Sequence, residues 1–383
     1  MVCLWGVILL LASGHAYSQT IETIGGVRVV HNEKGGKLGS QPGVSIQLIR
    51  KIGDVDTSDE NLAFNYPSDI AMDAPGNIYI LDSANHRVQK FSPEGTYLAT
   101  FGRRGQGPGE FYNPDSFDID DHGFFYVMDA NQYRIQTLTP ACAGDRTILL
   151  MGDSLRRLRC LKSGSLAVLG SLMPYSFIDK DKPPQLIKVL DQEGRLLRSF
   201  IDAVDYGGGI KTVYANVFEY AVDRNDNFCL AYVFHNKIEK YTAEGKLLWR
   251  ADWPINFTPG SWGADFSAAK MNVCSAGIAV DNKSRIWVVT LERPLRKEEE
   301  VKTSTLWGKT RGGAISISRS TTGNTDLRTS DSYKLEIIDA DGILLGEIRL
   351  THFIDAIRII GDNLFLLDQV RGVTYYQYKI VEK

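Results

Sequence analysis

The chain has 383 residues, 43% hydrophobic and 23% charged, with a formal net charge of −3. This is globular composition with ample material for a core. The near-neutral charge, with no basic stripe interleaved with aromatics, leaves no electrostatic case for a nucleic-acid partner.

Residues 1–18 differ from the rest. Positions 2–12 are almost wholly apolar, and Ala16-Tyr17-Ser18 places small residues at the −3 and −1 positions of a cleavage site. This reads as a secretory signal peptide, although no Lys or Arg precedes the apolar run, so the true start site stays open. No other segment is apolar for 18 residues, so no integral membrane span is expected and the chain reads as exported and monomeric. Four cysteines follow, Cys142, Cys160, Cys229 and Cys274; their spacings match no metal motif, and both disulfides and buried thiols are open.

Residues 19–44 form a lead-in. Residues 45–53, SIQLIRKIG, alternate like a strand. Then YPSDIAMDAPGNIYIL at 66–81 is echoed by NPDSFDIDDHGFFYVM at 113–128, an offset of 47 residues (66 to 113). Each is followed at once by DSANHRVQKF or DANQYRIQTL. A repeat of that length, with period-2 alternation and Gly, Asn and Asp turns, predicts four-stranded blades in a closed array.

Further units start near Leu155, Val217, Gly277 and Asp355. The last lacks a fourth strand, and the 45–53 pattern resembles the fourth strand YLATFG at 97–102. The N-terminal strand is therefore expected to complete the last blade and hide the open sheet edge. The fold class is all-β: a six-bladed β-propeller over residues 45–383. Residues 292–332, mixed in charge and rich in Ser, Thr and Gly, are expected as a flexible insertion in the fifth blade, with Trp307 its one suggestion of docking.

The run GRRGQGPGEF at 102–111, leading into Asn113-Pro114, together with Asn85-His86-Arg87-Val88, resembles NHL-repeat proteins, in particular exported six-bladed propellers of bacteria. The match is strongest over residues 60–140. It implies a fold and no single activity. Relatives with this repeat include peptide-amidating lyases that hold zinc through channel histidines. Here Ser68 follows Pro67 and Asp115 follows Pro114, and the five histidines after the leader do not converge, which argues against such a site.

In a four-stranded meander, first-to-second and third-to-fourth turns share one face. All of those turns are short here. The long excursions, 102–115, 170–185, 202–214, 252–275 and 292–332, belong to the other face, which also holds the channel mouth. Expected at the mouth are Ser68, Asp69, Asp115, Ser116, Phe218, Glu219, Ala276, Gly277 and Asp355, with Arg103, Arg104, Tyr175, Phe177, Tyr206, Trp253, Trp262 and Phe266 on the loops. The candidate ligand set is Asp69, Arg103, Arg104, Asp115, Tyr175, Glu219, Trp262 and Asp355, suited to a protein, peptide or carbohydrate.

No catalytic residue is assigned, and the expectation is a non-enzymatic binding protein. The plain alternative is that these carboxylates cap strands. A metal-dependent hydrolase or lyase of calcium type would use Asp69, Asp115 and Glu219. The 102–109 glycines lack the Lys-Ser/Thr of a phosphate loop. The recurring pairs Asp82–Arg87 and Asp129–Arg134 read as structural braces.

Overall fold

A computed structural model describes residues 19–38, 42–150, 155–170, 172, 178, 181–309 and 315–383, with side chains at all of these except 305–319. The expected leader and Tyr175 and Phe177 lie outside the described residues. The chain is a six-bladed β-propeller of four-stranded antiparallel blades. The first blade runs Pro67–Met72, Ile78–Asp82, Arg87–Phe91, Tyr97–Phe101. The second is Ser116–Ile119, Phe125–Asp129, Arg134–Leu138 and Gly144–Leu149. The third is Leu155–Cys160, Leu166–Gly170, Gln185–Leu190 and Leu196–Asp202. The fourth is Phe218–Val222, Phe228–Tyr232, Ile238–Tyr241 and Leu247–Asp252. The fifth is Ser275–Val280, Ile286–Leu291, Tyr333–Ile338 and Leu344–Arg349.

The sixth blade is Ala356–Ile360, Asn363–Asp368 and Thr374–Glu382, and its outer strand is Val44–Ile52 from the other end of the chain. The junction repeats a packing device. Gly53 and Gly102 each end a fourth strand with positive φ, and a Cβ at either would lie within 2.6 Å of a ring carbon of Phe64 or Phe111. Only glycine lets the aromatic sit that close.

The apolar alternation is used between blades. Six buried clusters form, one at each junction of neighbours. Tyr79, Phe117 and Phe125 lie between blades one and two, while Trp287, Leu335, Phe353 and Leu366 lie between five and six. A ring of equivalent junctions closes the core with no free sheet face in the interior. The short turns are fixed by one device. Asp73, Asp120, Asp223 and Asp281 each accept backbone N–H bonds from residues two or four positions on, as do Asp191 and Asp339 at third-to-fourth turns.

Three segments carry structure that the sequence pattern left unassigned. The lead-in is a hairpin, Thr20–Ile24 and Val27–His31, whose second strand adds in parallel to Leu247–Asp252 and widens the fourth sheet to six strands. It then crosses the fifth blade, where Asn32 accepts from the Leu344 amide and donates to the Gly342 carbonyl. The 202–214 excursion holds a helix, Gly209–Ala215. The 292–332 insertion holds a two-stranded hairpin, Val301–Lys309 with Ile315–Gly323, next to the Arg293–Glu299 ion pair at 2.6 Å. Cross-strand pairing of Ser and Thr, which suit strands, replaces the core that the composition seemed to deny it. The side chain of Trp307 lies outside the described residues. All four described cysteines are free thiols. No described helix is long and apolar enough to cross a membrane.

Candidate functional site

The innermost strands are laced by side chains rather than by a sheet. Asp69 accepts from the Phe117 amide at 3.2 Å, Asp115 from Arg157 at 2.9 Å, Ser116 from Leu158 at 2.7 Å and Asp118 from Cys160 at 3.0 Å. These bonds satisfy amides that no neighbouring strand reaches. Asp69, Glu219 and Asp355 line the lumen mouth with Ser68 and Gly277, whereas Asp115 is not part of that lining and is spent on the Arg157 amide.

The sequence reading missed the cations facing them. Arg157 pairs with Glu219 at 3.1 Å, Arg159 with Asp69 at 2.7 Å and Arg358 with Asp118 at 2.6 Å. The first strand of the third blade reads LRRLRC, and a bulge between Arg156 and Leu158, with Arg157 in the left-handed region (φ 52°), turns both Arg157 and Arg159 inward. Strict alternation puts Arg157 and Arg159 on one face but sends Leu155 and Leu158, which share a buried cluster, to opposite faces, so the pattern did not show which face turns inward.

These pairs set the electrostatics. Burial pushes the Asp69 carboxyl up, but Arg159 and then Arg358 outweigh it and hold it below the ordinary range. Glu219, and Asp115 after it, raise Arg157 further against burial. Asp355 is open to lumen water, yet its protein walls and then Asp368 push its carboxyl up to about 6.

The cavity at this mouth holds about 40 Å³, little more than one water. Arg159, Tyr220 and Arg358 also line a cavity of about 270 Å³ toward the short-turn face, so they form the waist of the channel. Asp69, Asp115 and Glu219, the residues a metal would use, each accept from an arginine side chain or a backbone amide. Among the described residues no three His, Cys, Asp or Glu side chains group as a metal centre needs.

A larger opening lies beside the mouth on the long-loop face. This groove of about 480 Å³ is walled by the loops before the first and second blades, the second-to-third turns of blades one and six, and the insertion hairpin. Its polar lining is Asn65, Tyr66, His86, Arg104, Tyr112, Asn113, Thr303, Thr321 and Gln369. Tyr66, His86, Asn113 and Val373 in its wall all have positive φ between 50° and 60°. Such conformations cost energy and gather at binding sites, although His86 shares its with Tyr133, the equivalent residue of the next blade.

Asp–Arg braces hold these walls. Asp82 accepts from the Asn65 amide at 2.7 Å, while Arg87 donates to the carbonyls of Glu60 and Ala63. Asp129 accepts from the Tyr112 amide, while Arg134 donates to the carbonyls of Gly105, Gln106 and Glu110. In the sixth blade Asp368 accepts from the Arg371 and Gly372 amides, and Arg371 donates to the Glu299 carbonyl in the insertion. The repeated residues are scaffold, and what they hold is the groove.

The other expected residues separate. Arg104 lines the groove, whereas Arg103 points to solvent and pairs with Glu110 at 2.8 Å. Trp262 lies in a half-buried aromatic group away from the mouth, stacked on His235 at 4.4 Å and near Tyr206 and Phe266. Burial and then Lys237 push His235 down to about 4.

Comparison with known proteins agrees with this architecture. A family profile, DUF5128, described as a 6-bladed beta-propeller, matches residues 25–138. No curated protein matches. Among solved structures, a member of the DUF4221 family from Bacteroides vulgatus aligns with TM-score 0.56 at 10% identity, covering 90% of this chain and 100% of that one. A Bacteroides fragilis protein described as exported aligns with TM-score 0.55 at 11% identity, covering 93% and 99%. Such distant likeness speaks to fold alone.

Proposed function

We propose that this chain is an exported, non-enzymatic propeller of NHL type that binds a polar ligand in the groove of its long-loop face. One observation carries the reading: the roomy opening, at about 480 Å³, is the groove, while the lumen mouth, at about 40 Å³, is filled by its own ion pairs. The groove falls within the size range of small-ligand sites and converges amide, hydroxyl and cationic groups from loops of three blades. In the lumen, the carboxylates that a hydrolase would need for a metal are engaged with Arg157 and Arg159 and with backbone amides. Export is supported by the apolar leader with its small-residue cleavage pattern.

The test is a glycan and peptide array with the chain beginning at residue 19, repeated for two variants. Ala84→Trp fills the groove and should abolish binding. Glu219→Gln alters the lumen and should leave binding intact. Loss in Glu219→Gln with retention in Ala84→Trp would move the function into the channel and favour the metal-dependent alternative.

A further inference from the structure

We infer that the ligand of this groove is an acidic oligosaccharide, whose carboxylate or sulfate is received by Arg104; this rests on the groove being the ligand site. Among the described residues, none of those lining the groove is Asp or Glu. Arg104 is exposed there and makes no ion pair among the described residues. Its neighbour Arg103 shows the contrast, since Glu110 already neutralises it.

The guanidinium is also held in place. It lies 5.1 Å over the Tyr112 ring and donates from Nη2 to the Tyr112 hydroxyl at 3.3 Å. Tyr112 stacks on His86 at 5.7 Å with 9° between planes. The Asn113 amide donates to His86 Nδ1 at 3.0 Å, which puts the neutral ring's proton on Nε2. This column keeps Arg104 extended on the groove wall with most of its donor fork unspent. A preformed fork suits an oxyanion and loses little side-chain entropy on binding it.

The walls decide between sugar and peptide. Asn65, Asn113, Gln369, Thr303 and Thr321 offer amides and hydroxyls, matching a hydroxyl-rich ligand. A peptide added as a strand would need open backbone groups. Here the amides of Val55, Ala84 and Asn113 are already spent on Gly372, Asn65 and His86.

The experiment is titration calorimetry of the chain from residue 19, in low salt, with four probes. They are an oligogalacturonate, a heparin-derived oligosaccharide, a neutral maltooligosaccharide of matched length, and polyglutamate. Binding of one acidic glycan is expected, at least tenfold tighter than the neutral one. Arg104→Gln should weaken it roughly 10- to 100-fold, the range of a charge-assisted hydrogen bond, and Arg104→Lys less. Arg104 is exposed, so an unchanged thermal midpoint will confirm that both variants fold. Preference for polyglutamate, equal binding of neutral and acidic glycans, or indifference to Arg104→Gln would overturn the inference, as would failure of both acidic glycans to bind. Neutral-glycan or peptide binding that Ala84→Trp abolishes would still leave the broader groove reading standing.

Discussion

Replacing Arg134 by Met tests whether the repeated Asp–Arg braces hold the groove. The Arg134 side chain is 7% exposed, sits 3.1 Å from a wholly buried Asp129 and binds three carbonyls of the 105–110 loop. Burial pushes the Asp129 carboxyl up to about 6, with Arg134 the main influence holding it down. Arg134→Met strands that carboxylate and frees the loop, for a loss of about 3–5 kcal/mol.

The sign with pH follows. With its folded pKa above the unfolded 3.8, Asp129 binds its proton more tightly in the folded state, so its penalty grows as pH rises from about 4 through 6. Without Arg134 the folded value climbs further. The loss should therefore be largest near pH 7.5 and shrink toward pH 5. Guanidinium unfolding of the wild type, Arg134→Met, Asp129→Asn and the double variant measures it. The double variant should lose less than the two single losses added. A cost for Arg134→Met below about 1 kcal/mol, or no coupling with Asp129, would refute the brace as described.

Three more outcomes are expected. Glu336 is fully buried, and burial, helped by the nearby carboxylates of Glu347 and Glu292, pushes its carboxyl up to about 7 against Lys334 at 2.7 Å. Its ionisation weakens the fold as pH rises from the ordinary glutamate range through 7, so Glu336→Gln should raise the thermal midpoint at pH 8 and not at pH 4.5. His31, raised first by Glu22 and also by Asp252, pins the N-terminal hairpin when protonated. Its contribution is present at acid pH and lost as pH rises through its folded value. Being well exposed, it is worth less than about 1 kcal/mol; amide-exchange protection of 20–31 in His31→Gln should fall below wild type at pH 6 and match it at pH 9. Chains begun at Val44 should still fold, whereas chains begun at Asp54 lose the strand paired with Thr374–Glu382 and should fail to refold.

The blades were legible because each strand alternates at period two and each short turn opens on an acid or hydroxyl that accepts its own backbone amides. The closing strand was legible from the likeness of SIQLIRKIG to YLATFG. The starts of the innermost strands pointed to Asp69, Glu219 and Asp355, which line the lumen mouth, and to Asp115, which does not. Arg157 and Arg159 share a face by simple alternation, but a one-residue bulge brings Leu155 and Leu158 into one buried cluster, and no local residue announces which face turns inward. Arg358 lies on a strand whose inward partner, Asp118, is 240 positions away. The N-terminal hairpin escaped notice because its bonds are to the outer edge of the fourth blade, a pairing that repeat counting does not consider. The groove itself is a property of loop geometry. Arg104 was singled out with Arg103, and the Tyr112 column on one and the Glu110 ion pair on the other separate the two.

Hydrogen-exchange footprinting of the chain with its captured ligand tests the groove most directly. Protection should rise over residues 84–86, 103–113 and 369–373 and at Thr303 and Thr321, with the short-turn face unchanged. Protection instead along Asp118, Lys162 and Arg358 would place the ligand in the opposite cavity and contradict it.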